Sequence, residues 1–385
     1  MKTYRARHVV SLFQGLAGRL FAIALVLVSA AAFAPAVAQA AGAAPGAVYV
    51  MTNAPAGNAV LVFNRAENGA LTAAGSYATG GTGTGAGLGS QGALVLSDDQ
   101  RWLLAVNAGS NSISVFAVFP GGLHLASTTP SGGALPISLT THDHLVYVLN
   151  AGDPGSISGF VLAPNGQLSP LAGSTRSLSN GGVGAAPGPA EVAFSPNGRL
   201  LVVTEKNTKL ITTYTVGQDG LPSAAVPHPS SGITPFGFAF DHQDTLIVSE
   251  AFGGAANASA VSSYNVAGDG LQVVSASSPT HQTSACWIAV TGNGKYTYTT
   301  DAASGAISGY AVNQDGSLAL LNANGQTAFI GGSVADMAFS LNSRYLYVFA
   351  GGAHQVVVFQ VNADGSLAQQ SNVAIPAGAA GIAAF

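Results

Sequence analysis

Charge is the scarcest commodity in this 385-residue chain. Asp, Glu, Lys and Arg together make up 7% of it, against about 25% in ordinary globular proteins. With 12 basic and 16 acidic residues, no basic face is available, which excludes nucleic acid as a partner. The one cysteine, Cys286, excludes an internal disulfide; in "SACWIAV", next to Trp287, it reads as a small buried apolar residue. Long apolar runs are missing beyond the start of the chain, so no membrane span is expected after residue 40. Segments with a sustained helical period are missing as well.

What is present is glycine, 50 residues of it, and a pattern that repeats. The first 40 residues stand apart. Lys2, Arg5, Arg7 and Arg19 precede the apolar "LFAIALVLVSAAAFAPAV", which ends in "AQA". A basic start, an apolar middle and small residues at the end describe a secretory signal peptide, cleaved after Ala40. Four of the 12 basic residues lie in it, so the mature chain has 8 basic and 16 acidic residues, a formal charge of −8. A periplasmic or extracellular protein is expected, monomeric, with residues 41–385 as one domain.

Two phrases recur through that domain. One is a strand pair around a turn: "LVLSDDQRWLLAVN", "ISLTTHDHLVYVLN", "VAFSPNGRLLVVTE", "FAFDHQDTLIVSE", "IAVTGNGKYTYTTD" and "MAFSLNSRYLYVFA". The other carries a central aromatic and closes on Asn-Gly, Gly-Gly or Asp-Gly, pairs that accept positive φ in tight hairpins. Its aromatics are Phe63, Phe116, Phe160, Tyr214, Tyr264, Tyr310 and Phe359, at spacings of 44 to 54 residues. A period of this length marks a repeat architecture. Four strands per unit and seven units make an all-β, seven-bladed β-propeller. The first unit starts at its second strand, "AVYVMTN", and the chain ends on "GIAAF", which matches the inner strands "EVAFS" and "DMAFS". The last residues are therefore expected to supply the inner strand of the first blade, removing two open edges.

The second strands end on Asn53, Asn107, Asn150, Glu205, Glu250, Asp301 and Ala350. If these side chains converge, one half of the channel mouth is acidic and suits a divalent cation, an amine or a polyol. Otherwise each polar group serves loop backbone. His228 and His281 fall in loops on the same face, within reach of acid–base work beside Glu250. His142, His144 and His242 fall in turns on the opposite face and read as solvated. "GLGSQG", Gly87 to Gly92, fits the dinucleotide spacing, but no strand precedes it and no helix follows. No organic cofactor is expected; the Gly/Thr-rich segment reads as a flexible loop over the mouth. Lys206 and Lys209, directly after Glu205, read as its surface ion-pair partners.

"AFSPNGRLLVV" and "YTVGQDGL" resemble the lactonase-type seven-bladed propellers, which include 6-phosphogluconolactonase and the carboxymuconate cyclases. The resemblance implies a signature: His-x-His opening one blade, Gly-Pro-Arg-His opening the next, Asn-Glu ending that blade's second strand, and an Arg after the second strand of the following one. Here Gly188 and Ala190 stand at the histidines, Phe236 and Gly237 at the Arg and His, and Ala302 at the last Arg. Glu250 is kept. Three readings stay open. The chain is an exported module that binds a small polar molecule, a glycan or a protein without the family's catalysis. Or it is a lactone hydrolase or cyclase in which Glu250 transfers protons with His228 or His281. Or it is a structural protein of the cell envelope.

Overall fold

The computed structural model describes residues 46–385; the expected signal peptide lies outside the described residues. Seven antiparallel sheets follow one another along the chain and close into a ring. Blade 1 takes its three outer strands from Gly46–Met51, Ala59–Arg65 and Leu71–Ala78. Its inner strand is Ile382–Ala384, with Val50 opposite Ile382 and Val48 opposite Ala384. The closure expected from the termini is therefore present.

The inner strands of blades 2 to 7 are Leu94–Leu96, Pro136–His142, Pro189–Phe194, Pro235–Phe240, Ala285–Val290 and Val334–Phe339. Each is followed by a second, a third and an outer strand. In blades 3 and 6 the outer position is filled by two short strands, Leu168–Pro170 with Arg176–Ser177 and Leu318–Leu320 with Ala328–Phe329. The seven repeat aromatics all lie on third strands, each opposite an early residue of the second strand: Phe116 faces Leu103, Tyr214 faces Leu201, Phe359 faces Leu346. All seven are buried. That conserved register is why one phrase serves every blade: a bulky ring at this point fills the gap between neighbouring sheets.

The blades are also stitched by hydrogen bonds to hairpin carbonyls. Tyr147 Oη donates to Gly220 O at 2.7 Å and Tyr298 Oη to Gly365 O at 2.7 Å, each from one blade to the next. Ser263 Oγ makes the same link to Gly316 O.

Candidate functional site: a plugged channel mouth

An inner strand has no strand partner on its channel side, so its outward N–H and C=O groups need other partners. The sequence supplies them from the preceding blade. Ser138 Oγ accepts from the Val192 N–H at 3.1 Å. One blade on, at the same register, Glu191 Oε2 accepts from the Phe238 N–H at 2.6 Å. In blade 7 that register holds Asp336, which accepts from Met337 N–H at 2.9 Å and from the Ile382 N–H of blade 1.

Blade 5 has Gly237 at this register, and the missing side chain is replaced from elsewhere. Gln91 enters the channel. Its Oε1 accepts from Ile288 N–H at 2.9 Å, and its Nε2 donates to Ile288 O at 2.9 Å and Phe238 O at 3.3 Å. A Cβ on residue 237 would stand 2.2 Å from Gln91 Oε1, so the glycine is what makes room.

The rest of the Gly87–Gly92 segment is fastened too. Ser90 Oγ donates to Ile137 O, Trp287 Nε1 donates to Ser90 O, and Gln91 N–H donates to Ala190 O. Lys206 Nζ donates to Gly89 O at 2.7 Å and Pro189 O at 3.0 Å, and lies 5.0 Å from the centre of the Phe236 ring. The segment expected to be a flexible loop over the mouth is instead a plug bonded to blades 3, 4, 5 and 6. Lys206, expected in a surface ion pair with Glu205, holds that plug. Its burial lowers the ammonium pKa to about 8. Phe236 packs against Trp287 with ring centres 4.9 Å apart and planes tilted by 57°, and Cys286 packs in the same cluster. Burial pushes the Cys286 thiol up to about 12, so it stays protonated.

The residues at the ends of the second strands follow a different rule. Asn107 Nδ2 donates to Ser114 Oγ at 2.8 Å, and Asn150 Nδ2 to Ser158 Oγ at 3.3 Å. Glu205 Oε1 accepts from Thr212 Oγ1 at 2.8 Å and Ser179 N–H at 3.0 Å; Oε2 accepts from Thr208 Oγ1 and Ser179 Oγ. Glu250 Oε1 accepts from Ser262 Oγ at 2.6 Å, Gly232 N–H at 2.7 Å and Ser230 Oγ at 3.3 Å; Oε2 accepts from Ser277 Oγ at 2.7 Å. Asp301 Oδ2 accepts from Ser308 Oγ at 2.7 Å. Asn53 Nδ2 donates to Ala86 O at 2.6 Å. Each partner hydroxyl on a third strand lies two residues beyond the one that pairs with the end of the second strand in its own blade.

The three carboxylates therefore do not meet. Glu205, Glu250 and Asp301 are each 0% exposed, and among the described residues no three His, Cys, Asp or Glu side chains gather to hold a metal. Burial raises Asp301 to about 8, keeping its carboxyl protonated at neutral pH. His228 lies on the outer strand of blade 4 with Nε2 2.9 Å from Thr213 Oγ1. His281 is exposed in the loop before blade 6, at φ 58°. Neither histidine is among the groups that bond Glu250. His142 lies against Phe194, with Nδ1 3.8 Å from Asp98 Oδ2.

Sequence reading passed over Gln91, Glu191 and Asp336. Burial raises Asp336 to about 7 and Glu191 well above the carboxylate range, and the charge of Asp336 raises Glu191 further. The signal was available for two of them: "PAEVAF" and "VADMAF" place an acid at one register of two otherwise apolar repeats.

Comparison with known proteins agrees with this geometry. The model of the family described as "Lactonase, 7-bladed beta-propeller" matches residues 46–173, 155–251 and 251–379. The 6-phosphogluconolactonases of Serratia proteamaculans and Yersinia pestis are each 26% identical over 125 residues, 32% of this chain and 37% of theirs. The match thus spans little more than a third of the length of these relatives. The periplasmic gluconolactonase of Pseudomonas aeruginosa superposes with a TM-score of 0.69 at 15% identity, over 88% of this chain and 99% of that one; this is a likeness of fold. With three matched segments that run from blade 1 to blade 7, the chain belongs to the seven-bladed β-propeller lactonase family.

Proposed function

We propose that this protein is an exported lactonase-family propeller that binds a small polar ligand at its mouth face without the family's lactone chemistry. One observation carries the reading. Glu250, the retained signature acid, is fully buried, and both its oxygens are taken by four donors from its own surroundings. A general base must reach the proton it takes, and no substrate atom reaches this one.

The neighbouring positions support the same reading. Phe236 and Gly237 stand where the signature has Arg and His, and Gln91 fills the space that Gly237 opens. An anionic sugar phosphate would find no paired guanidinium there. On the mouth face, a cleft of about 440 Å³ is lined by Ser284, Ala302, Ala303, Ser304, Gly332 and Ser333. These small uncharged side chains suit a neutral, hydroxyl-rich ligand. Export is supported by the basic and apolar start of the chain and by the periplasmic setting of its Pseudomonas relative.

The test is a pH-stat assay of the purified protein with glucono-δ-lactone and its 6-phosphate. The expected result is the spontaneous rate for both. Hydrolysis above that rate, abolished in a folded Glu250→Gln variant, would return the protein to lactone chemistry.

A further inference from the structure

On the face opposite the plugged mouth, inner strands turn into second strands. In blades 2, 6 and 7 this turn closes in one way: a side-chain oxygen accepts from the N–H two residues on. Asp99 Oδ1 accepts from Arg101 N–H, Asn293 Oδ1 from Lys295 N–H and Asn342 Oδ1 from Arg344 N–H, each at 3.1 Å. In blade 2 the turn residue is an acid, and Asp99 Oδ2 lies 3.9 Å from the Arg101 guanidinium. In blades 6 and 7 it is an uncharged amide. Lys295 and Arg344 stand in the place of Arg101 but have no carboxylate in their own turn, and among the described residues neither forms an ion pair.

Both bases line one open cleft of about 370 Å³ between blades 6 and 7, and both are exposed. No acid lines it. Asp364, in the adjoining hairpin, is engaged by Ser366, whose N–H and Oγ donate to Oδ1 at 3.0 and 2.7 Å. The turn amides are oriented as well. Asn293 Oδ1 also accepts from Thr291 Oγ1, and Asn342 Oδ1 from Ser340 Oγ. With each oxygen committed to its turn, the two Nδ2 groups are left as donors, and among the described residues neither has a partner. Ser343 Oγ accepts from Gly292 N–H at 2.8 Å and keeps its own proton to give. Tyr296, with its hydroxyl bonded to Ala363 O at 2.9 Å, and Val361 supply an apolar wall. Of the eight basic residues after residue 40, two thus share a cleft that is rich in unengaged donors and free of carboxylate.

We infer that this cleft binds a phosphate monoester of a small molecule. Near neutral pH such a group carries about −1.5 to −2 charges and three acceptor oxygens, which match two cations and several neutral donors. The Arg344 guanidinium takes two oxygens through parallel bonds, and the Lys295 ammonium acts as a point charge on the third. The Nδ2 groups of Asn293 and Asn342 and the Ser343 hydroxyl donate to the remaining lone pairs, and the organic part lies against Tyr296 and Val361. The volume falls within the range of about 300–1,000 Å³ usual for small-molecule sites, which leaves room for more than the phosphoryl group. The cleft lies on the other face from the mouth, so it stands or falls separately from the lactone question.

Isothermal titration of the purified protein with phenyl phosphate, in a neutral low-salt buffer, tests it. Saturable binding is expected, weakened at least tenfold by Lys295→Gln and by Arg344→Gln, each checked for an unchanged melting temperature. Arg101→Gln, at the same place in blade 2, should leave binding unchanged. Should a variant fail to fold, the native protein with phenyl sulfate gives the same answer, since this ester carries a single charge and should bind several-fold more weakly. No saturable heat with phenyl phosphate, a loss in Arg101→Gln as large as in the other two variants, or equal affinity for phenyl sulfate would overturn the assignment.

Discussion

Gly237 and Gln91 form a pair in which each residue explains the other. The glycine leaves a gap in the series of side chains that bond the inner-strand edges, and the glutamine amide fills it with one acceptor and two donors. Gly237→Ala puts a methyl group where Gln91 Oε1 now sits. The expected cost is about 1–3 kcal/mol of overpacking and lost bonding, measured by urea unfolding. Gln91→Ala leaves Ile288 N–H without its partner and should cost a similar amount. In the double variant the penalties should not add, because the methyl no longer meets the Gln91 amide and only the Cys286 carbonyl, 2.7 Å from the Cβ position, still crowds it. A shortfall from additivity of roughly 0.5–3 kcal/mol is expected for residues in direct contact; strict additivity would show that the plug does not depend on the glycine.

At the scale of the element, the acids at the ends of second strands act as clasps between strands, and they differ in how many donors they serve. Glu250 serves four donors as an acceptor. Glu250→Gln turns an NH₂ group toward hydroxyls and a backbone N–H, and roughly 1–3 kcal/mol should be lost. Asp301 already holds its proton at neutral pH, with its pKa near 8. Asp301→Asn should therefore change stability by less than about 0.5 kcal/mol at pH 7, within the range of a near-neutral substitution. Equal losses in the two variants would contradict this contrast. The clasps also show where the sequence stops being readable. The repeat phrases, the third-strand aromatics and the closing "GIAAF" were legible because each rests on local periodicity and turn chemistry. The positions of Glu205, Glu250 and Asp301 were legible too, but not their direction. That direction depends on register with Thr212, Ser262 and Ser308 on the next strand. The plug was hidden for a stronger reason: Gln91 bonds residues 147 and 197 positions away, and no local pattern encodes such a partner.

The whole ring closes through its termini. Phe385 stacks near Tyr49 at 6.1 Å, and Arg65 Nε donates to Phe385 O at 3.1 Å. Inside this ring the few acids are buried, and that sets the pH response of the entire protein. Asp336 and Asp301 have folded pKa values of about 7 and 8, raised by burial from the ordinary 3.8, and Glu191 is raised as well. The folded state therefore holds protons that the unfolded chain has released. Unfolding stability falls with pH wherever the native state binds more protons, so the contribution of these acids is complete below about pH 4 and is lost as pH rises toward 7 and 8. Exposed Asp99, Asp315 and Asp364 have lowered values; they act with the opposite sign, but only below the ordinary aspartate range. The melting temperature should accordingly be higher at pH 5 than at pH 8. Replacing Asp336 and Asp301 together by Asn should flatten the decline, because the amides carry no titrating proton. A melting temperature that rises from pH 5 to pH 8 would mean that these carboxyls are ionised in the folded ring and held there by charges or solvent inside the channel.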